Sequence, residues 1–280
     1  MLQVEATGLS ETGPHREINE DALGAFGPGE MPGTDRKGYL YVVADGMGGH
    51  LAGEVASTTA VATLRDEYYS PSSHSRIEPA LRRAVQAANL RVHDLAHRHA
   101  EYRSMGTTLT TIALAGNCAY VAHIGDSRAY HWRGGELKLL TTDHSEAAEL
   151  VRLRILKPDK VRDHPGRNVL TRTIGSNLIS RPDFLRQPIA SGDRFILCSD
   201  GLWSELEDDE LGQVVGDCSP AEACRELMDR VLARGCPDNA SIEIVHVLTA
   251  APEEEPAPSR MGWLSGMLRR GGTRPWGVSG

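Results

Sequence analysis

Hydrophobic positions along the chain fall mostly into short runs. Leu40-Tyr41-Val42-Val43-Ala44 is almost continuously apolar and ends at an Asp-Gly, as a buried strand entering a turn does. Similar runs span 107–114, 119–124, 128–132, 194–198 and 241–248, and residues 22–26 are strand-like. Gly-Asn at 116–117 and Gly-Gly at 134–135 punctuate these runs as hairpin turns. Two longer stretches carry apolar residues near 3.6-residue spacing. They are 53–69, with Val55, Thr59, Ala62 and Leu64, and 77–99, with Leu81, Val85, Ala88, Val92 and Leu95. A further helical pair is predicted over 208–215 and 220–232, with Ser219 as N-cap and Pro220 at the first helical position. Blocks of adjacent strands separated by helix pairs predict an α+β sandwich rather than a doubly wound parallel sheet. No internal repeat of fixed period is present.

Composition narrows the classes. The 280 residues suit one large domain or two small ones, and 40% hydrophobic with 24% charged residues can bury a core. Thirty Lys+Arg against 38 Asp+Glu give a net charge of −8, which argues against global attraction to nucleic acid or anionic lipid. No segment approaches the roughly 18 apolar residues of a membrane span, and residues 1–20 lack the pattern of a signal peptide. Five cysteines without a CxxC argue against a disulfide scaffold or thiolate zinc site; Cys118 and Cys198 are expected as buried thiols. The expectation is a soluble, cytoplasmic, monomeric protein of a reducing compartment. The folded domain is expected over 1–249. Residues 250–280 are expected to form a Pro/Glu linker and a disordered tail, although Met261, Leu264, Met267 and Leu268 before Arg269-Arg270 would also suit a partner or membrane surface.

The candidate chemistry lies in carboxylates. Asp45, Asp126 and Asp200 each end an apolar run beside Gly or Ser, Asp238 stands beside Asn239, and Glu20-Asp21 precede the strand-like 22–26. One such Asp is ordinary turn chemistry. Five such places in one chain suggest convergence on metal, and oxygen donors without neighbouring Cys or paired His suit Mg²⁺ or Mn²⁺ rather than Zn²⁺. Two such ions, about 3.5–4 Å apart, would activate a water for in-line displacement at phosphorus.

Taken together, six motifs resemble, in order, those of the metal-dependent PPM/PP2C-type serine/threonine phosphatases. They are Arg16-Glu17-Ile18-Asn19-Glu20-Asp21, Asp45-Gly46-Met47-Gly48-Gly49-His50, Met105-Gly106-Thr107-Thr108-Leu109, Gly125-Asp126-Ser127-Arg128, Ser199-Asp200-Gly201-Leu202-Trp203 and Asp238-Asn239. The resemblance covers about residues 3–249. A flap-like stretch over about 142–180, containing Thr142-Asp143-His144-Ser145 and His164-Pro165-Gly166-Arg167-Asn168, resembles the bacterial branch. Some flap details also resemble phosphatases associated with type VI secretion regulation.

The resemblance implies a four-layer α-β-β-α sandwich, with two central, mainly antiparallel sheets flanked by helix pairs. It implies hydrolysis of phosphoserine and phosphothreonine by a metal-bridging hydroxide, in opposition to a bacterial Ser/Thr kinase, with phosphorylated proteins as partners. Asp45 would bridge two ions and the Gly46 carbonyl would ligate the second. Asp200 and Asp238 would hold the first, and Glu20 and Asp21 would act through waters. Arg16 would clamp the phosphate, Asp126 would serve a third, weaker ion with Asp200, and Asn239 would support Asp238. Met47 stands where many relatives carry a proton-donating His, leaving His50 or a water as candidate acid. A phosphoprotein-binding pseudophosphatase and a small-molecule phosphatase are the alternatives. Nine Lys/Arg over 152–186 would make the flap either an attractor of phosphorylated segments or an incidental solvated loop. The 105–108 stretch is expected to pack beneath the site, Arg128 to make a structural ion pair, and Trp203 to be core.

Overall fold

Continuous apolar runs arise here because the central strands are buried on both faces. In β3 (Tyr39–Met47), Leu40, Val42 and Ala44 enter one hydrophobic cluster while Tyr41 and Val43 enter another. In β11 (Ala240–Thr249), Ile242 and Ile244 face a third cluster while Val245 and Val247 join Tyr41 and Val43. A side-chain period of two across a strand with no wet face yields this pattern. The computed structural model describes residues 1–28, 37–48, 51–71, 73, 76–162 and 164–250.

Two sheets stack around the shared cluster. One runs β2 (Asp21–Phe26), β3, β5 (Leu109–Ala115), β6 (Cys118–Ile124) and β9 (Asp183–Pro188), with β4 (Gly106–Thr107) on β3. The other runs β1 (Gln3–Glu11), β11, β10 (Arg194–Cys198), β7 (Arg128–Arg133) and β8 (Glu136–Leu139). Every pairing among the described residues is antiparallel. Helices α1 (Ala52–Tyr69) and α2 (Ile77–Arg98) cover the first sheet, and α5 (Asp208–Asp217) and α6 (Pro220–Ala233) cover the second. The expected four-layer sandwich is the fold. Among the described residues no helix is long and apolar enough to cross a membrane, and Cys118 and Cys198 are buried free thiols as expected.

Ser219 forms a capping box with Glu222, with Pro220 following, so the N-terminus of α6 is closed by its own sequence. Strands β1, β8 and β9 were not anticipated. All three lie at sheet edges and none of their residues is fully buried, so the burial signal in them is weak, resting in β1 mainly on Val4 and Ala6 against the shared cluster. The predicted 107–114 run divides at Thr108, whose N–H turns to the Asp45 carbonyl. The flap holds α3 (Glu146–Arg152) and two 3-10 turns, Pro158–Lys160 and Pro165–Asn168. It is tied back by bridges between Thr107 and Ile174 and between Ser145 and Leu170. Chain 251–280, with the predicted linker and tail, lies outside the described residues, as do Gly49 and His50.

Candidate active site

Strand ends from both sheets meet at one edge of the sandwich and carry the acidic residues there. Register pairs Asp21 of β2 directly with Asp45 of β3, two like charges that need a compensating partner. Asp126 follows β6. From the other sheet, Asp200 follows β10 at the start of the short helix α4 (Asp200–Trp203), and Asp238 precedes β11. Arg16, Glu20, Asp45, Asp126, Asp200 and Asp238 line a single cleft of about 600 Å³, which Asn168, Leu170 and Thr173 of the flap also border. Asp21 is buried behind it.

Backbone contact sets these positions. The Gly46 N–H donates to the Glu20 carbonyl at 3.1 Å, and buried Ser57 of α1 donates to the same oxygen at 2.6 Å. A Cβ on Gly46 would stand 2.1 Å from the Gly53 carbonyl oxygen, and one on Gly53 would stand 2.3 Å from Glu20 Oε1. Only glycine allows β3, the Glu20 loop and α1 to approach this closely. Asp45 is held through its main chain. Its N–H donates to Thr108 Oγ1 at 2.8 Å, and its carbonyl accepts from the Thr107 hydroxyl at 2.9 Å. Its carboxyl therefore stays available to the cleft, and the 105–108 stretch packs beneath the site as expected.

Asp21 is held by side chains that the sequence did not single out. Its Oδ2 accepts from Ser199 Oγ at 2.8 Å and Ser241 Oγ at 2.7 Å. Ser10 in turn contacts Ser241, and Asn19 donates to Ser10. Asn239 plays a different part from simple support of Asp238. Its side chain accepts from the Glu20 N–H at 2.9 Å and donates to the Ile18 carbonyl at 3.0 Å, while its backbone N–H donates to Asp238 Oδ1 at 2.8 Å. It therefore joins the two acidic loops. Arg16 Nη2 lies 2.6 Å from Asp238 Oδ2, with about 42% of its side chain exposed at the rim.

Crowding and poor solvation raise the proton affinity of Asp21, Asp45, Asp126 and Asp200. Burial is the main cause for Asp21, whose pKa is pushed up to about 7, and for Asp200, pushed up to about 6, where neighbouring Asp238 adds to it. Asp45 and Asp126 are raised well above the usual range by the same desolvation, with Asp21 and Asp200 as their respective largest charged neighbours. Asp45 and Asp200 keep a solvent-accessible face, so this is the desolvation of a cleft floor rather than of a sealed core. Among the described residues no three His, Cys, Asp or Glu groups form a ready-made metal cage. The donors nevertheless fit hard divalent ions. Glu20 Oε1, Asp21 Oδ1 and Asp200 Oδ1 are buried oxygens with no hydrogen-bond partner, and the acidic side chains offer only oxygen.

Arg128 pairs bidentately with Asp143 at 3.1 and 2.8 Å and stacks 3.5 Å from the Trp203 ring centroid, so it is structural and Trp203 is core. Part of the positive charge of the flap is neutralised within the chain. Arg152 pairs with Glu149, Arg162 with Glu207 and Asp208, and Arg172 with Asp183, while Arg186 of β9 grips Cys118 Sγ. These four side chains are therefore engaged within the chain.

Behind Asp126, His123 is buried between Thr110 and the Thr142 carbonyl, which only accepts and therefore fixes the proton on Nε2. Burial lowers its pKa to about 3. Between about 6.5 and about 3 the unfolded chain binds a proton that folded His123 refuses, so this group makes stability fall as pH drops. Asp21 and Asp200 have the opposite sign, because their raised values make the folded state the better proton binder as pH falls. Comparing wild type with His123→Gln in chelator isolates the histidine. Unfolding free energies from urea titrations between pH 7.5 and 4.5 are expected to fall more steeply for wild type, by up to about 1.4 kcal/mol per pH unit. Parallel slopes would show that His123 takes up its proton in the folded state.

Comparison with known proteins places this arrangement. The family model described as Protein phosphatase 2C matches residues 6–240. The chain is 33% identical over 246 residues to Protein phosphatase PhpP of Streptococcus pneumoniae, covering 86% of this chain and 97% of that protein. It is 31% identical to the catalytic domain of the serine threonine protein phosphatase PstP solved with two manganese ions, at a TM-score of 0.77, covering 89% of this chain and all of that one. PppA, described as a key regulatory component of T6SS in Pseudomonas aeruginosa, is 34% identical with a TM-score of 0.72, covering 87% of this chain and 97% of that one.

Proposed function

We propose, from the premise that this chain belongs to the protein phosphatase 2C family, that it removes phosphate from phosphoserine and phosphothreonine in proteins, opposing a Ser/Thr kinase, with two Mn²⁺ or Mg²⁺ ions. One observation carries the reading: five carboxylates and Arg16 converge on one cleft, with two of its carboxylate oxygens, Glu20 Oε1 and Asp200 Oδ1, buried and unsatisfied. Asp45, Asp200, Asp238 and the Gly46 carbonyl would hold the ions, Glu20 and Asp21 would order the surrounding water, and Asp126 with Asp200 would offer a weaker third place. Bound there, the ions would supply Lewis acidity toward the phosphoryl oxygens and a water acidic enough to attack phosphorus in line.

The protein's part follows from its geometry. Arg16 lies at the open rim on Asp238 and can exchange that carboxylate for two phosphoryl oxygens, a bidentate match. Met47 borders the cleft and carries no ionisable proton, so the leaving alkoxide draws its proton from another donor, for which we favour cleft water over His50. The chain keeps every carboxylate that the resemblance assigns to the ions, which speaks against a binding module that has lost catalysis.

The test is phosphate release from a phosphothreonine peptide with Mn²⁺, with Mg²⁺ and with excess chelator. Turnover that needs the ions and disappears in Asp200→Ala is expected. A folded protein inactive on the peptide with either ion, yet active on a sugar phosphate, would overturn the protein-phosphatase reading.

A further inference from the structure

A second chamber opens off the catalytic cleft, of about 520 Å³, and the two share Met47 and Thr173 in their walls. Its lining is unlike the first. The cleft is ringed by carboxylates, whereas the described residues lining the chamber include no Asp or Glu, although the chain as a whole carries −8. The polar residues that line it are Arg103, His97, Ser104, Thr173 and Ser176.

Arg103 is presented rather than left loose. The 3-10 turn Ala100–Tyr102 runs into it, its N–H donates to the Ala100 carbonyl at 3.3 Å, and the Met105 N–H closes on Tyr102 at 3.0 Å. Ser104 completes the turn at φ +72°, a left-handed conformation that non-glycine residues seldom adopt without a constraint. The guanidinium makes no hydrogen bond or ion pair within the described residues, unlike Arg152, Arg162 and Arg172 on the flap. His97 is fixed beside it, with Nδ1 on the His93 carbonyl at 2.8 Å and the two rings stacked at 4.0 Å.

We propose that this chamber, with Arg103 at its centre, binds an anionic group on the substrate segment next to the phosphorylated residue, so that the enzyme prefers segments carrying a second phosphate or neighbouring carboxylates. This rests on the phosphatase reading above. A peptide with its phosphate in the cleft continues at about 3.3–3.6 Å per residue, and passing Met47 and Thr173 brings its next side chains into a cationic, carboxylate-free space. Recognition there is charge-assisted for either anion, and phosphate, with more acceptor oxygens, gains more from a guanidinium fork than a single carboxylate does.

The experiment compares kcat/KM, with Mn²⁺ and at low and high salt, for four phosphothreonine peptides: neutral flanks, Asp/Glu flanks, a second phosphothreonine, and Lys flanks. About a tenfold preference for the two anionic peptides over the neutral one is expected, carried by KM and shrinking at high salt. Arg103→Glu should bring that ratio to one or below and favour Lys flanks, while Arg103→Lys keeps part of it. Preference for the doubly phosphorylated peptide alone would assign the chamber to phosphate; preference for both would assign it to anions generally. Equal rates across the wild-type series, or a preference that survives Arg103→Glu, would overturn the proposal. Failure of every peptide would instead strike the phosphatase reading itself.

Discussion

Asp45→Asn is expected to cut metal-dependent phosphate release by roughly three orders of magnitude while making the chelated protein more stable than wild type. The two effects share one cause. Asp45 faces Asp21 across a strand pair, and its carboxyl is driven toward the protonated form first by desolvation and then by Asp21, Asp200, Asp126 and Asp238. A group whose folded-state pKa is raised contributes stability below its unfolded value, and that contribution is lost as pH climbs through the folded value. At pH 8 wild type therefore carries a penalty that the neutral amide does not. The gain should be about 1 kcal/mol, the size of many stabilising replacements at functional sites, or about 2–4 °C in Tm. Asparagine keeps the shape but cannot serve as an anionic bridge, and losing a fixed charge in such a site costs about 4 kcal/mol of barrier. Thermal melts with chelator and with saturating Mn²⁺ check both halves. Mn²⁺ should raise Tm strongly for wild type and weakly for the variant. Near-normal turnover, or a chelated variant less stable than wild type, would remove Asp45 from the centre.

Gly46→Ala should damage the site without touching any carboxylate. Its new Cβ would lie 2.1 Å from the Gly53 carbonyl and 2.5 Å from that of Glu20, both backbone atoms that cannot rotate away. Relief requires α1 or the Glu20 loop to shift, at about 3 kcal/mol of stability. An ångström of misplacement in such a site lowers turnover about a hundredfold. Gly116→Ala is the contrast. It also disfavours a side chain, at φ +61°, but nothing lies within 4 Å, so a loss of about 1–2 kcal/mol with unchanged kcat is expected. Urea unfolding and peptide turnover on both variants test the comparison. Equal activity in the two would mean that the close packing of β3 on α1 does not set the site.

The central strands and flanking helices were legible because each buries at least one face, and burial writes its period into the sequence. The run 40–44 and the helices over 53–69 and 77–99 appear within a residue or two of their predicted bounds at the end that burial defines. Edge strands left a weaker trace. Strand β1 carries only a short alternation, Val4 and Ala6 with Leu2 just before them against the shared cluster, and takes its full length from pairing with β11, as β9 does from β6. The capping box at Ser219 was half visible, since Ser-Pro marks the start, but Glu222 completes it only when the first turn forms.

By itself, the sequence determined which acids are present, their order, and that each stands at or near one end of an apolar run. Those are local facts, fixed by backbone sterics and by the cost of burying a carboxylate. Tertiary structure alone decided what holds them. Ser199 and Ser241 reach Asp21 from 178 and 220 residues away, and Asn239 grips Glu20 from 219. It also decided that Arg152, Arg162 and Arg172 of the flap are engaged in internal ion pairs, while Arg103, in a turn the sequence did not mark, faces a chamber beside the cleft. A hydrogen bond between distant loops has no period, and a small polar side chain looks the same in sequence whether it meets water or a buried carboxylate. Only the pairing of two sheets, which brings loops from opposite ends of the chain to one edge, tells the two apart.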